Sequence, residues 1–415
     1  MERVLLLLPT GGYRNEDFLA AARKLGVEIV AVANYCHQLA PAWGMGPIQS
    51  VPFDQPVAAL QRLLVALARR PDAVLAVDDS GLDLAALLSE YFGLRGNAPE
   101  AVRQTRDKLA FRRLLQSGGL NCPDFFHLAG ELEIESLRQP LRYPVVVKPR
   151  RLSASRGVIR ADAPQAYAHA VQWVRRIQAR ADRDAAELGL IVESFIPGRE
   201  YALEGLLERG RLRVLALIDK PDPLDGPYFE ETLYLTPSRL AQSLQQEIAL
   251  TVQRACELAG LQSGPIHAEM RVNATGVWLL EVAARSIGGL CGRMLRSALG
   301  MSLEELILRD ALGRTLAEAA PAQARGVMMI PIPRQGIYQG VHGRDAALGL
   351  AGIDAIEISA QPGQLIEALP EGASYLGFIF ASGASPQAVE SCLRAAHARL
   401  EFEIQAEIPL SRVRS

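Results

Sequence analysis

Two glutamates, Glu269 and Glu281, flank a turn-forming segment, Asn273-Ala-Thr-Gly276, inside the run Gly264-Pro-Ile-His-Ala-Glu-Met-Arg-Val-Asn-Ala-Thr-Gly-Val-Trp-Leu-Leu-Glu-Val-Ala-Ala-Arg285. Both halves alternate with period two, which predicts a β-hairpin. A turn centred on Thr275 places Glu269 opposite Glu281, six residues to either side, with Cβ atoms roughly 5 Å apart. Facing carboxylates repel one another unless a cation holds them, so a divalent metal with oxygen ligands is the chemistry this pairing suits. His267 stands one step along Glu269's face and Arg285 two steps beyond Ala283 on Glu281's face. Val277, Leu279 and Ala283 are expected on that same face, which suits a partly closed cavity. The alternative is a solvated hairpin with a slipped register.

Other charged residues occur at positions where an anion could be received. Lys108 opens a helix over Lys108–Gln116, where a positive charge opposes the helix dipole and is either solvated or recruited for an anion. Forty residues later, Lys148 ends the short β-branched run Tyr143-Pro-Val-Val-Val-Lys148-Pro149, and a solvent-facing side chain is the default there. The segment Arg150-Arg-Leu-Ser-Ala-Ser-Arg-Gly157 follows. Ser153, Ser155, Arg156 and Gly157 in it can offer hydroxyl, backbone and cationic groups to phosphates, although a solvated basic loop has the same composition. Glu193-Ser194-Phe195-Ile196 ends an apolar strand, breaks at Pro197-Gly198 and leads to Glu200. Its backbone could meet a flat heterocycle and its carboxylates ribose hydroxyls. Thr10, Arg14, Asp79, Lys220, Phe229 and Arg334 are further candidates for substrate contact, with turn, cap or surface roles as the alternatives.

These residues need a scaffold, and the chain alternates strand and helix from the start. Strands at Val4–Leu8, Glu28–Ala33 and Ala73–Val77 and helices at Asn15–Leu25, Val57–Arg69 and Leu82–Phe92 predict a doubly wound parallel sheet. Loops after such strands are ligand-binding places, but Pro9-Thr-Gly-Gly-Tyr-Arg14 lacks the glycine spacing of a dinucleotide site. The stretch 164–187 reads as an exposed helix, Tyr201–Leu207 and Leu212–Asp219 as antiparallel strands, and Gln242–Ala259 as a long helix. From about residue 320 a small α+β module is expected, with strands at Val327–Ile332, Ala355–Ile358 and Tyr375–Ser382.

Composition excludes several classes. The chain has 415 residues, 49% hydrophobic and 22% charged, with a formal net charge of −2. A soluble multi-domain protein fits, and no positive field favours nucleic acid. The five cysteines stand apart, without a C-x-x-C pair, as expected of a reducing cytoplasm and not of a thiolate metal site. Val4–Leu8 is too short for a signal h-region, and no apolar run approaches the ~20 residues of a membrane span.

Taken in order, Lys108, Lys148, the Ser/Arg/Gly loop, Glu193 to Glu200, and Glu269, Glu281 and Arg285 resemble the ATP-grasp superfamily over roughly 1–310. The resemblance implies an α/β and α+β ATP-grasp fold. Its parts would be a pre-ATP-grasp domain at 1–104, a small lobe at 105–192, a large lobe with the metal hairpin at 193–318, and a C-terminal module at 319–415. The two lobes would clamp ATP. The resemblance further implies that Lys108 and Lys148 contact nucleotide phosphates and that the loop covers the γ-phosphate. Glu193–Ile196 would form the adenine hinge, largely through main chain, and Glu200 would take ribose. Glu269 and Glu281 would hold Mg²⁺, with Mn²⁺ as a substitute, and Arg285 would steady anionic intermediates. Two departures stand out: Ala283 replaces an asparagine ligand common in the wider family, and Arg151 and Arg156 occupy a loop that relatives make richer in glycine. The Ala-Ala-Arg form and the C-terminal module are similar to the L-amino-acid ligase branch.

The implied reaction is ADP-forming ligation of a small-molecule carboxylate to an amine, such as two amino acids, through an acyl phosphate. Phosphoryl transfer of this kind asks for positioning and charge neutralisation, in keeping with the lack of a nucleophilic triad. His267 could accept the amine proton, orient Glu269 or be structural. Other acceptors (a thiol, a carrier-protein amine, a carboxylation substrate) and a non-catalytic ATP-binding module are the alternatives. A homodimer is what relatives suggest.

Overall fold

The computed structural model of the chain describes residues 1–9, 11–34, 49–130, 142–181, 187–316 and 323–406. The chain divides into two compact units. The first comprises Met1–Cys122, Glu200–Ile218 and Ser238–Ala322; the second comprises Pro123–Arg199, Asp219–Pro237 and Gln323–Ser415. This contact-based division differs from the four successive segments expected from sequence, because 105–192 is cut at Cys122 and Lys108 falls in the first unit.

The first unit begins with β1 (Arg3–Leu8), β2 (Glu28–Ala33), β3 (Gln49–Ser50) and β4 (Ala73–Ala76), in the spatial order β3-β2-β1-β4 with all pairs parallel. Val4 to Leu8 are fully buried, as a central parallel strand covered on both faces requires. Helices Asn15–Leu25 and Leu82–Phe92 have the bounds read from sequence, and each ends at a glycine in the left-handed region, Gly26 and Gly93. Helix Pro99–Arg106, which the sequence reading missed, precedes helix Lys108–Ser117. Asp107 caps the latter by accepting from the Leu109 and Ala110 amides, which fixes Lys108 as its first residue.

In the second unit β5 (Phe125–Leu128), β6 (Val145–Pro149), β7 (Ile159–Ala161) and β8 (Leu190–Ser194) form an antiparallel sheet ordered β5-β8-β6-β7. Helix Pro164–Ala181 buries Tyr167, Ala170, Val171, Val174 and Ile177 against it. The expected exposed helix is therefore amphipathic: its i, i+3, i+4 apolar stripe outweighs its many arginines. Residues 182–186 lie outside the described residues.

The first unit resumes with β9 (Arg199–Glu208), whose first residue belongs to the second unit, and β10 (Arg211–Lys220), whose last two residues do. β11 (Leu233–Thr236) lies in the second unit, and helix Gln242–Ala259, β12 (Ser263–Asn273) and β13 (Gly276–Ala283) in the first. Within the first unit the strand order is β13-β12-β9-β10. One face carries Tyr201, Leu203, Ile266, Ala268, Met270, Val277 and Leu279, packed with Ile248 and Val252 into a core. The second unit ends with β14 (Ala324–Ile330), β15 (Gly336–His342), β16 (Ile353–Ile358), β17 (Leu365–Ile366), β18 (Gly377–Gly383) and β19 (Glu401–Gln405). These give the orders β11-β14-β18-β16 and β17-β15-β19, with helix Pro386–His397 contributing Val389 and Leu393 to their core. This is the expected α+β module. Among the described residues no helix is long and apolar enough to cross a membrane.

Candidate active site

The hairpin of β12 and β13 pairs Glu269 with Glu281, as expected, but through an unexpected route. Asn273 pairs with Gly276, so the loop is the two residues Ala274 and Thr275, one residue tighter than a turn centred on Thr275. Asn273 Oδ1 accepts from the Thr275 amide at 2.9 Å, and Gly276 takes φ 111°, a conformation that L side chains avoid. Met270 pairs with Leu279, so Leu280 is an extra residue, and this bulge restores the register at Glu269. The bulge also switches faces. Val277 and Leu279 lie in the core with Val282 and Ala284, which corrects the expectation that they share Glu281's face. Glu281, Ala283 and Arg285 project from the other side.

That side is built from polar residues on three strands of the first unit. Along β9, Glu200 and Glu204 alternate with the core residues Tyr201 and Leu203, and along β12, His267, Glu269 and Arg271 alternate with Ala268 and Met270. The buried His267 ring lies between two carboxylates, with Nδ1 against Glu204 and Nε2 3.1 Å from Glu269 Oε1. Burial pushes the imidazole down, but the Glu204 carboxylate and then Glu269 outweigh it and raise the pKa to about 9. An imidazolium there donates from both nitrogens and has no lone pair to offer. Glu200 Oε2 accepts from Arg271 Nε at 3.3 Å, both side chains buried.

Arg285 is fixed by Asp79, whose Oδ2 accepts from Nε at 2.9 Å, and lies 3.7 Å from Glu281. Burial disfavours the guanidinium charge, yet Asp79 and Glu281 raise its pKa, so it stays a cation. Burial likewise opposes the Asp79 charge, but Arg285, Arg106 and Lys108 hold its pKa below the ordinary value. Asp79 sits at the start of a short turn after β4, where Asp78 accepts from the Ser80 amide at 2.9 Å. Lys108 Nζ stands 3.9 Å from Glu281 Oε2. The loop after Arg285 is also tied: the Ile287 amide donates to Glu204 Oε2 at 3.2 Å, and Arg14 donates to the Ile287 carbonyl at 2.8 Å. Arg14 is 4% exposed and also paired with Glu304 at 3.0 Å, a clamp between segments of the first unit. Thr10 lies outside the described residues.

The donor set fits a hard divalent cation. Glu269 and Glu281 side chains keep 22% and 26% of their exposure, which leaves room for an ion and its waters. The carboxylates of Asp79, Glu200, Glu204, Glu269 and Glu281 share this face with the cationic groups of Lys108, Arg271, Arg285 and His267.

In the second unit Lys148 is buried, not solvated, with Nζ 2.6 Å from Glu193 Oε2 on the neighbouring strand. The amides of Ser194 and Phe195 donate to the Asp124 and Pro144 carbonyls at 2.8 and 2.9 Å. Arg160 stacks over the Phe195 ring at 4.2 Å. The Ser/Arg/Gly loop is fastened at its end: Arg156 Nε donates to the Glu371 carbonyl at 2.7 Å and the Gly157 amide to the Pro370 carbonyl at 3.0 Å. Ser153 is exposed, whereas Ser155 and Arg156 are half-buried. Lys220 is also buried, paired with Glu231, and Arg334 donates to the Ile404 carbonyl at 2.8 Å. Phe229 lines a recess with Ser155 and Tyr375.

A family profile for the ATP-grasp domain matches residues 141–294, and one for the L-amino acid ligase C-terminal domain 2 matches residues 328–405. An L-amino acid ligase structure from Bacillus licheniformis superposes with a TM-score of 0.84 at 25% identity, covering 98% of this chain and 99% of that one. The chain carries an ATP-grasp domain followed by an L-amino acid ligase C-terminal domain 2.

Among its curated relatives are carnosine synthase 1 of Gallus gallus, 28% identical over 80% of this chain, and a D-alanine–D-alanine ligase of Ectopseudomonas mendocina, 28% identical over 49%. The chain spans only 36% of the first relative and 63% of the second. Within this ATP-grasp fold the departure at Ala283 has a clear neighbour, since Ala283 pairs directly with His267. A methyl group there cannot ligate metal, but it leaves the imidazole room to reach Glu269. Glu204 escaped the sequence reading, although a lone charge in the apolar run Tyr201-Ala-Leu-Glu-Gly-Leu-Leu207 was a usable signal. The sequence offers substrate contact or a turn role for Asp79 but not its bond to Arg285, which spans 206 residues.

Proposed function

We propose that the protein is an ATP-dependent, ADP-forming ligase that joins a small carboxylate, such as an amino acid, to an amine through an acyl phosphate. The observation that carries this reading is the facing pair Glu269 and Glu281 with Arg285 held beside it by Asp79. A pure nucleotide binder has no need of an arginine fixed next to the metal-binding carboxylates, and the C-terminal ligase-type domain adds support.

In this reading the substrate carboxylate attacks the γ-phosphorus of ATP, the bond to the β-bridging oxygen breaks, and ADP leaves. The amine then attacks the acyl carbon and gives up a proton to solvent, the bond from that carbon to the phosphate-bearing oxygen breaks, and phosphate departs with the oxygen that came from the carboxylate. Lys148 and Lys108 neutralise phosphate charge, and Ser153, Ser155, Arg156 and Gly157 shape the loop over it. Glu193 to Ile196 line the adenine position, with Glu193 steadying Lys148, and Glu200 addresses ribose. Arg285 stabilises charge on the tetrahedral intermediate, while His267 keeps Glu269 aligned. Mg²⁺, or Mn²⁺ in its place, would be held by Glu269 and Glu281 and would supply charge neutralisation and phosphate alignment. The scattered cysteines and the family resemblance support a cytoplasmic protein working as a homodimer.

Oxygen transfer tests the proposal. With an ¹⁸O-labelled carboxylate substrate, one labelled oxygen is expected in the phosphate released. Phosphate without label, alongside amide formation, would rule out the acyl phosphate.

A further inference from the structure

The first unit carries a recess, partly open to solvent, away from the polar face of the hairpin. Val74 on β4, Ala86 and Val102 on two helices, Pro265 at the start of β12 and Ile307 on helix Leu303–Ala311 give it an aliphatic wall. Ala284 also lines it. That residue belongs to the core side of the hairpin with Val282, whereas Glu281 and Arg285 project from the other side. The recess therefore lies behind the strand that carries the metal-binding carboxylates.

Its polar edge is one matched charge pair. Arg95 donates from NH1 to the Asp310 backbone carbonyl at 2.9 Å and places NH2 2.9 Å from Asp310 Oδ1. The Asp310 side chain is 4% exposed and that of Arg95 33%. Asn97, the neighbouring polar side chain, is occupied with backbone: it donates to the Ser263 carbonyl and accepts from the Gln262 and Ser263 amides. A ligand seated here meets aliphatic surface, a guanidinium and a buried carboxylate together. A simple anion would be repelled by Asp310 and a simple cation by Arg95. A molecule carrying both charges on one carbon satisfies both and leaves its side chain for the wall.

We propose that this recess binds a free aliphatic α-amino acid, its carboxylate on Arg95, its ammonium on Asp310 and its side chain against Ala86, Val102 and Ile307. Burial raises the Asp310 pKa, the Glu208 charge adds to the rise and Arg95 only partly offsets them, so an added ammonium would relieve this carboxylate. The recess adjoins the reaction machinery through two short links. Ala284 precedes Arg285, and Leu82, another lining residue, follows the turn that carries Asp79. An amino acid bound here thus bears on the Asp79–Arg285 pair from behind, without entering the reaction.

The test is thermal unfolding of the full chain, without ATP or metal, in the presence of L-leucine, 4-methylpentanoate or 3-methylbutylamine. Saturating leucine should raise the melting temperature by about 1–3 °C, and neither half-charged analogue should do so at the same concentration. Ala311→Phe fills the recess from its edge, and Arg95→Ala removes the carboxylate partner at a partly exposed position less prone to misfolding. Both should lose the leucine shift, while Glu281→Gln, altered only on the opposite face, should keep it. Overturning results are no shift in the wild type up to the solubility of leucine, a shift that survives Arg95→Ala, or one that disappears in Glu281→Gln.

Discussion

Glu281 has Lys108 at 3.9 Å and Arg285 at 3.7 Å, separations too long for tight ion pairs. Its carboxylate is held near two cations without being consumed by either, which suits an incoming metal. Glu281→Gln keeps the shape and removes the charge. In the proposed ligase it should lower ADP formation by about 100-fold or more while leaving the melting temperature near that of the wild type. Near-normal turnover in this variant would remove Glu281 from the site. His267 makes a second prediction. Its folded pKa lies at about 9 against an ordinary 6.5, so the stability it contributes is fully present below about pH 6.5 and is lost as pH rises through about 9. Metal-free protein should therefore melt at progressively lower temperature across that window, and His267→Asn should flatten the profile. A flat wild-type profile would contradict the placement of the ring between two charged glutamates.

Among the elements, the Ser/Arg/Gly loop shows how position can replace composition. Ala154 and Ser155 take φ of 56° and 54°, a region that costs a non-glycine residue on the order of 1 kcal/mol. Bonds from Arg156 and Gly157 to the Glu371 and Pro370 carbonyls fasten the segment that follows. Arg156→Ala removes one fastener. The loop should then be cut faster in limited proteolysis and KM for ATP should rise several-fold with a smaller change in kcat; unchanged proteolysis would mean the bond does not restrain it. The hairpin was legible because period two and turn chemistry are local signals. Its bulge was not, because nothing in Leu279-Leu280 distinguishes a paired leucine from an extra one. The choice is made by the core, which takes Leu279 and Val282 and so forces Leu280 out of register.

For the molecule as a whole, several helix and strand bounds and the order of the chemistry-bearing residues could be read directly, since apolar periodicity and glycine caps mark them. The partition into units could not. The second unit is assembled from Pro123–Arg199, Asp219–Pro237 and Gln323–Ser415, and no local pattern announces that these segments pack together. For the same reason Lys148 and Lys220 looked like surface lysines, although each is buried against a glutamate, Glu193 and Glu231. Their partners follow from strand register and loop packing, not from flanking residues. The central claim concerns the chemistry: two substrates, one ATP, one new amide. Its most direct test is ADP release by the purified chain with Mg-ATP, measured with amino acids singly and in pairs. The account predicts release that depends on one carboxylate and one amine together, in step with amide formed. ADP released at the same rate with no second substrate, and without amide, would contradict it.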